Sequence, residues 1–449
     1  MSKNSLEDKG STSAQATENT PLISKNEHAN GGDVPGKGDE NGSLSAKQTA
    51  LLIAGEMAGS GVLALPRAMV RTGWVGVPLL ILMGVIAAFS GKRLGDCWSI
   101  LEERDPQMRS RKRNPYAIIA DQALGKTWSV VASMAMIVTQ FGASVVYLLL
   151  AAQIIEQVFL TLIPTLSICW WYLIVAGAMT PLLLFGTPKD FSFLGVIAFG
   201  SVVVACILYF IQMLFDIKPF GVFRWGLHNF QQFFLSFGTM MFAFGGASTF
   251  PTIQNDMADK SKFSKVLQYS FTAILGLYLP IAIGGYAVYG ESVAPNVSAS
   301  LSPTPVTLAG NILMVIHLVS AFIILVNPVC QEIEELYDVP RDSIAWRMGV
   351  RGCIMAGILF IGESVPRFYT ILALIGGSTV ALLTFVLPSY CYLKLIQPSE
   401  GRAAIEVPGW IKVVCWEVIA VGAIGGTFAT VAAINAIFST AQTTPCYLR

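Results

Sequence analysis

Apolar runs of about twenty residues, long enough to cross a bilayer as helices, recur from Lys47 to Phe438 with short polar intervals between them. About eleven are read by that criterion. The first six cover Lys47–Val70, Val75–Trp98, Thr127–Val158, Leu166–Gly186, Phe191–Phe215 and Phe230–Pro251. Val266–Tyr289, Pro305–Cys330, a short run at Arg347–Gly362, Tyr369–Leu395 and Trp410–Phe438 follow. Residues 1–46 differ: rich in Ser, Gly, Asn, Lys and Glu, they read as a disordered cytosolic tail ahead of a transmembrane domain over 47–449.

Two runs are interrupted in the same manner. The first holds Gly55-Glu56-Met57-Ala58-Gly59-Ser60-Gly61 and then Pro66; the sixth holds Gly245-Gly246-Ala247-Ser248-Thr249 and then Pro251. Small residues weaken the helix there, and proline lacks the N–H that would continue it. Hydrocarbon cannot satisfy the backbone groups left open, so such segments are tolerated where they line a cavity. A pair of them in corresponding halves points to the binding site of a transporter. The second set of five runs enters with opposite polarity to the first, the plan of an inverted repeat, and the eleventh run is an accessory helix.

Composition narrows the class. The chain is 54% hydrophobic and 13% charged, with mean hydropathy +0.61, which places it among polytopic membrane proteins. A net charge of +1 gives no basic field for nucleic acid. Arg109, Arg111, Lys112 and Arg113, then Lys260, Lys262 and Lys265, then Lys394 and Arg402 fall in alternate loops. The positive-inside rule makes those loops cytoplasmic, with the N-terminus cytosolic and the C-terminus luminal or extracellular. Arg67 and Arg71 are exceptions, assigned to the short first outer loop. Asn296-Val297-Ser298 is a glycosylation sequon in the longest outer loop, and agrees with this topology. The sequon at Asn41-Gly42-Ser43 lies on the cytosolic tail. Cys169 and Cys446 both fall near the non-cytoplasmic side, which leaves a disulfide between them open. The eight cysteines show no zinc or haem spacing. On the tail, Glu18 with Leu22-Ile23 has the form of an acidic dileucine signal read by an adaptor protein, an address to an endolysosomal or plasma membrane.

Gly59-Ser60-Gly61-Val62-Leu63-Ala64-Leu65-Pro66, with Gly73-Trp74 beyond, resembles the first transmembrane segment of the amino acid/auxin permease family. Phe250-Pro251-Thr252-Ile253-Gln254-Asn255-Asp256-Met257 resembles the end of that family's broken sixth helix. Gln140-Phe141-Gly142 with Val146-Tyr147 is similar to its third, and Val315-Ile316-His317-Leu318-Val319 resembles the eighth helix of its plant amino-acid permeases. The resemblance implies an all-α LeuT-type fold of eleven helices that carries amino acids with protons or sodium.

The candidate chemistry follows from an amino acid's two charged groups. Backbone N–H groups at a half-helix N-terminus suit its carboxylate, and carbonyls at the opposing end suit its ammonium. Ala58, Gly59, Ser60 and Gly61, with Gly245, Gly246 and Ala247, are the substrate-binding candidates; close helix packing is the alternative. Glu56 must face the interior, because a lipid-exposed carboxylate at that depth costs about 2.5–3.5 kcal/mol or more. There it can take and release a coupling proton, contact a substrate ammonium, or serve as a fixed structural carboxylate; this reading rests on its chemistry and not on the resemblance. His317 stands alone among the three histidines in lying inside an apolar run. It can relay protons or be satisfied by one partner. Ser320 lies one turn on, where LeuT-type folds pair a hydroxyl with first-helix carbonyls around sodium; a proton is the preferred coupling ion. Tyr147 and Gln140 share a face, and the Tyr147 hydroxyl reaches substrate or packs as core. Asp256 with Lys260 forms an inner gate or a solvated helix end, and Glu332–Glu335 reads as a solvated face.

Together these point to a secondary active transporter of small or neutral amino acids, proton-coupled and working by alternating access. The alternative is a transporter-like sensor that signals through its tail. No cofactor is expected, and the absence of a catalytic dyad or metal motif argues against an enzyme.

Overall fold

A computed structural model describes residues 44–105, 107–108, 114–160, 162–184, 188–217, 229–339, 343–398, 403–439 and 445–448. Glu18, Leu22, Ile23, Asn41 and the loop cations Arg109, Arg111, Lys112, Arg113 and Arg402 lie outside them. The described residues close most of their backbone hydrogen bonds within helices, as hydrocarbon requires, and form one isolated β-bridge, Leu44 with Met257.

Helix α1 (Ala46–Met57) opens on a reciprocal box in which Ser45 and Gln48 satisfy each other's N–H groups. After three non-helical residues the chain resumes as α2 (Gly61–Thr72). Then come α3 (Gly76–Arg104), α4 (Pro115–Leu124), α5 (Lys126–Phe159), α6 (Ile168–Met179) and α7 (Pro188–Phe215). The second interruption separates α8 (Phe230–Ala243) from the short α9 (Phe250–Asn255). Beyond it run α10 (Phe263–Tyr289), α11 (Pro305–Leu336), α12 (Ile344–Ser364) and α13 (Phe368–Ile375), the last continuing through a π-helical stretch into α14 (Leu387–Leu395). A second π-helical stretch joins α15 (Gly409–Ala420) to α16 (Gly426–Ser439).

Nine helical stretches among the described residues are long and apolar enough to span a bilayer. The expected count of eleven is not reproduced by length and composition: Gly61–Arg104 forms one 44-residue stretch, and Ile168–Leu183 is shorter than the rest. The prolines differ from expectation too. Pro251 sits in the first turn of α9, where its missing N–H costs nothing. Pro66 lies inside α2, so the first break is set by residues 58–60 alone.

Helix α2 packs along α8 and α10, while α1 packs against α9, α10 and α7. The two interrupted segments therefore run antiparallel and cross at their breaks. Helices α5 and α11 lie together beside this crossing, with α7 on the far side of α11, and α16 packs outside against α8 and α13.

Several charges are knotted into this frame. Arg67 and Arg71 are not loop residues but sit one turn apart on α2. Arg67 Nη1 donates to the Glu291 and Val293 carbonyls, 3.0 Å each, and the Arg71 guanidinium lies 4.4 Å from the Tyr369 ring. Glu334 is not solvated: it accepts from Arg351 Nε at 2.6 Å, and Arg351, 2% exposed, also donates to the Leu183 carbonyl at the end of the α6 segment. Lys260 Nζ reaches Glu102 at 2.5 Å and Asn255 at 2.6 Å, tying α3 to the exit of α9. At the opposite end, burial pushes the Asp216 carboxyl up, but donors from Tyr289, Ser302 and Gln212 outweigh it and hold the group below the usual carboxylate range.

The sequon needs correction. Asn296 is 3% exposed, its Oδ1 accepts from Ser298 N at 3.1 Å, and its Nδ2 is enclosed, so a glycan on that nitrogen has no room in this fold. Cys169 and Cys446 are joined as a disulfide, and neighbouring Tyr447 stacks on Phe360 of α12 at 5.9 Å. Two outcomes follow. Glycosidase treatment of the purified protein leaves its gel mobility unchanged. Non-reducing digestion yields a linked peptide containing Cys169 and Cys446, and Cys446→Ser lowers the melting temperature, reflecting a loss of about 2–4 kcal/mol.

Candidate functional site

Two helix ends meet two helix starts where the broken segments cross. A Cβ on Gly61, the first residue of α2, would lie 2.8 Å from the Ala243 Cα at the end of α8. Likewise a Cβ on Gly246 would lie 2.9 Å from Met57 Cγ at the end of α1. Gly246 has φ +142°, a conformation that L side chains rarely adopt. Glycine is thus required at Gly61 for close approach to the α8 backbone and at Gly246 for its backbone conformation, the packing role left open above.

The backbone donors divide unequally. Ala58 N–H closes on Ala54 O and Gly59 N–H on Met57 O, both at 2.8 Å, and Gly245 N–H closes on Phe242 O at 2.9 Å. Those three N–H groups are occupied within the chain. The Ser60 N–H lies against the Tyr147 hydroxyl; the Gly61 N–H opens α2, where no preceding turn supplies an acceptor, and Gly246 and Ala247 stand in the same place ahead of α9. All are packed within the crossing and do not form the wall of the adjoining cavity.

That cavity has a volume of about 530 Å³. Glu56, Tyr147, Ser248 and Thr249 form its deep end, and it runs between α5 and α11, past Gln140 and Pro328, to Gln331 and Glu332 at the predicted cytoplasmic end. Its ionisable walls are acidic: Glu56 and Glu332. The expectation that Gln140 and Tyr147 share a face is met on this wall.

Glu56 links the two breaks. Its Oε2 accepts from Thr249 Oγ1 at 2.8 Å, and the same hydroxyl lies 2.8 Å from Gly246 O. A hydroxyl has one proton. With an ionised Glu56, Thr249 donates to the carboxylate; with a protonated Glu56 able to donate in turn, Thr249 is free to donate to Gly246 O. The arrangement accommodates both protonation states without moving a heavy atom.

The first break has a second polar group behind it. His317 Nδ1 lies 2.8 Å from Ala198 O on α7. A carbonyl accepts only, so that nitrogen carries the proton and Nε2 is a bare acceptor. This Nε2 is buried without a protein partner, and a Cβ on Gly59 would approach it to 3.9 Å. The same Cβ would collide with the Tyr147 hydroxyl, which sits against Gly59; the Tyr147 and His317 rings are 6.1 Å apart. Ser320 is buried one turn along α11.

Residues 42–432 match the model of the transmembrane amino acid transporter protein family. The chain belongs to that family. Its members are membrane transporters and not enzymes, and amino acid transport is their class of function. Among curated relatives, Arabidopsis thaliana amino acid transporter AVT1D is 26% identical, the match covering 87% of this chain and 70% of the relative. Arabidopsis amino acid transporter AVT3C is 24% identical over 85% of this chain and 88% of its own. Lysine histidine transporter-like 1 of Arabidopsis is 23% identical over 80% and 81%. The fold is that of a LeuT-type transporter: the solved structure of MhsT in complex with L-phenylalanine is 14% identical, with a TM-score of 0.57 over 88% of this chain and 99% of that one.

Within this family frame the sequence reading leaves out Thr249, whose hydroxyl joins Glu56 to the second break, and Tyr278 on α10, which touches the ends of both first half-helices. Thr249 was available as one of the two hydroxyl residues, with Ser248, that follow the Gly-Gly pair. Tyr278 gives no comparable signal, because tyrosines in apolar runs are ordinarily core. Lys260, read with Asp256 as a gate, also reaches Glu102 and Asn255, partners the sequence reading does not name.

The Gly59–Tyr147 contact gives a paired test. Gly59→Ala forces the Tyr147 hydroxyl aside and destabilises the protein by about 1–3 kcal/mol. Adding Tyr147→Phe removes the obstructing oxygen, so thermal melting in detergent recovers toward that of the wild type in the double variant but not in Gly59→Ala alone.

Proposed function

We propose that this family member is a secondary active, proton-coupled transporter of neutral amino acids that works by alternating access, with Glu56 as the coupling group. The observation that carries the reading is the Glu56–Thr249 hydrogen bond. It sets a carboxylate at the deep end of a cavity, on the line where the two broken helices meet. Gaining or losing one proton there changes which carbonyl or carboxylate Thr249 serves, and so bears directly on how the two segments hold each other. His317, a bare acceptor beside Gly59, is the second proton-accepting group at the first break.

Substrate recognition is assigned to the backbone starts of α2 and α9, Ser60-Gly61 and Gly246-Ala247, where the N–H groups and the positive helix end suit a carboxylate. Tyr147 and Gln140 flank the approach. Acidic walls at Glu56 and Glu332 disfavour amino acids that carry a second carboxylate, which supports neutral substrates. A hydroxyl at Ser320 leaves sodium as the less favoured ion.

The cavity reaches the end where α11 terminates, while the opposite end is bridged by Arg67 to the 291–293 carbonyls and by Arg71 to Tyr369. An inward-open arrangement fits this pattern, given the loop charges that favour a cytosolic N-terminus. The Cys169–Cys446 disulfide supports a luminal or extracellular C-terminus, since disulfides persist in oxidising compartments. The membrane is assigned as endolysosomal or plasma.

Proteoliposomes loaded with unlabelled amino acid test the reading. The wild-type protein exchanges labelled neutral amino acids and accumulates them under a pH gradient. Glu56→Gln retains exchange but loses about 90% or more of gradient-driven accumulation, the tenfold change expected when a coupling of some 1.4 kcal/mol is removed. PH-driven uptake unchanged in that variant removes Glu56 from coupling, and absence of wild-type exchange for every amino acid defeats transport itself.

A further inference from the structure

Tyr278 occupies a position that the transport chemistry above does not use. Its hydroxyl lies 2.6 Å from Met57 O and 2.9 Å from Ala243 O, and the residue is 0% exposed. Met57 is the last residue of α1 and Ala243 the last of α8, the same place in each of the two broken segments.

Because those segments are antiparallel, their first halves arrive at the crossing from opposite ends of the molecule. Each ends in carbonyls without intrahelical donors, which carry the negative end of the helix dipole. Two like-signed ends therefore face one another inside a dry core. Gly59 N–H supplies one donor to Met57 O. Ala243 O has no such neighbour among the described backbone contacts, and Tyr278 brings a hydrogen to both.

We infer that Tyr278 is a positioning residue that holds the two half-helix ends as one joint and so sets the spacing of the two breaks. One hydroxyl proton serves two acceptors, shared between them or given to either. When α1 or α8 tilts, the bond shifts to the carbonyl that stays near, and neither arrangement leaves the donor without an acceptor. Spacing at the joint is tight, with Gly61 against the Ala243 backbone and Gly246 against the Met57 side chain. A small separation there therefore displaces the N–H groups that open α2 and α9. The effect on substrate rests on the transport reading, since those groups are the ones assigned to the amino acid carboxylate; the effect on the joint does not.

Two measurements on the full-length protein separate these layers. Hydrogen–deuterium exchange compares Tyr278→Phe with wild type over residues 55–62 and 243–249. Both segments exchange faster together, by about tenfold or more, the factor expected when a buried donor is withdrawn, while segments in α14 and α16 keep their rates. Acceleration in one segment only, in neither, or uniformly through the protein overturns the joint. In proteoliposomes matched for protein, Tyr278→Phe raises KM for the transported amino acid by about tenfold with maximal exchange within about twofold of wild type. Placing 4-aminophenylalanine at position 278, which restores N–H donors, brings KM back. An unchanged KM in Tyr278→Phe, or a raised KM that the donor does not rescue, overturns the positioning role even where the wild type transports normally. A wild type without exchange leaves the exchange-rate test of the joint intact and defeats the transport reading alone.

Discussion

A backbone N–H or C=O cannot be left unpaired where there is no water, and two of the chain's membrane-depth segments are built so that some must be. The rest of the structure near the crossing is organised around supplying partners. Gly59 and Gly245 fold their own N–H groups back on Met57 and Phe242. Tyr278 brings a hydroxyl from α10 to the carbonyls of Met57 and Ala243. Thr249 brings a hydroxyl within reach of both Gly246 O and Glu56, its one proton going to either. The N–H groups at the starts of α2 and α9 carry the positive ends of their helices, and the Ser60 N–H lies against the Tyr147 hydroxyl.

The same constraint decides where charges sit. Glu56 is held by Thr249 at the cavity wall, facing an internal cavity and a hydroxyl and not lipid, which is the condition for tolerating a carboxylate at that depth. Arg351 is buried but engages both Glu334 and the Leu183 carbonyl, so the charge and the end of a short helix are satisfied together. Arg67 caps the 291–293 carbonyls in the same way. In each case one long side chain repairs backbone that a helix end leaves open, and in doing so fixes two elements against each other.

How much of this is legible in the sequence depends on whether the feature is local. The breaks are local: a cluster of Gly and Ser inside an apolar run departs from helix-forming composition at identifiable positions. Glu56 is likewise visible, since a lone acid in such a run needs an explanation. Tertiary partners are not visible. Nothing in Ile274–Pro280 distinguishes Tyr278 from the other buried aromatics, and Glu334 finds Arg351 across an interhelical loop. Counting loop charges assigns Arg67 and Arg71 to a loop because charge correlates with exposure, yet both lie on α2 with partners drawn from elsewhere. The sequon at Asn296 fails for a related reason: its spacing is a property of three residues, whereas its burial is a property of the fold. The Pro66 reading errs in a different way, since proline is taken to end the break while α2 accommodates it internally.

The pattern of ties also restricts how the crossing can move. At the predicted cytoplasmic end, Leu44 exchanges two backbone bonds with Asp256 and Ala258 at 3.0 Å each, joining the entry of α1 to the exit of α9. At the other end of α1, Glu56 holds Thr249 at the entry of α9. The two inner half-helices are therefore fastened at both ends to each other, and the outer pair, α2 and α8, meets through the bare backbone contact of Gly61 with Ala243. A fastening made of two backbone hydrogen bonds is indifferent to pH. One made of a carboxylate and a hydroxyl is not, because protonation removes the charge that strengthens it. Of the two ties between α1 and α9, only the one nearest the crossing can respond to a proton, and it is the one that lies on the cavity wall.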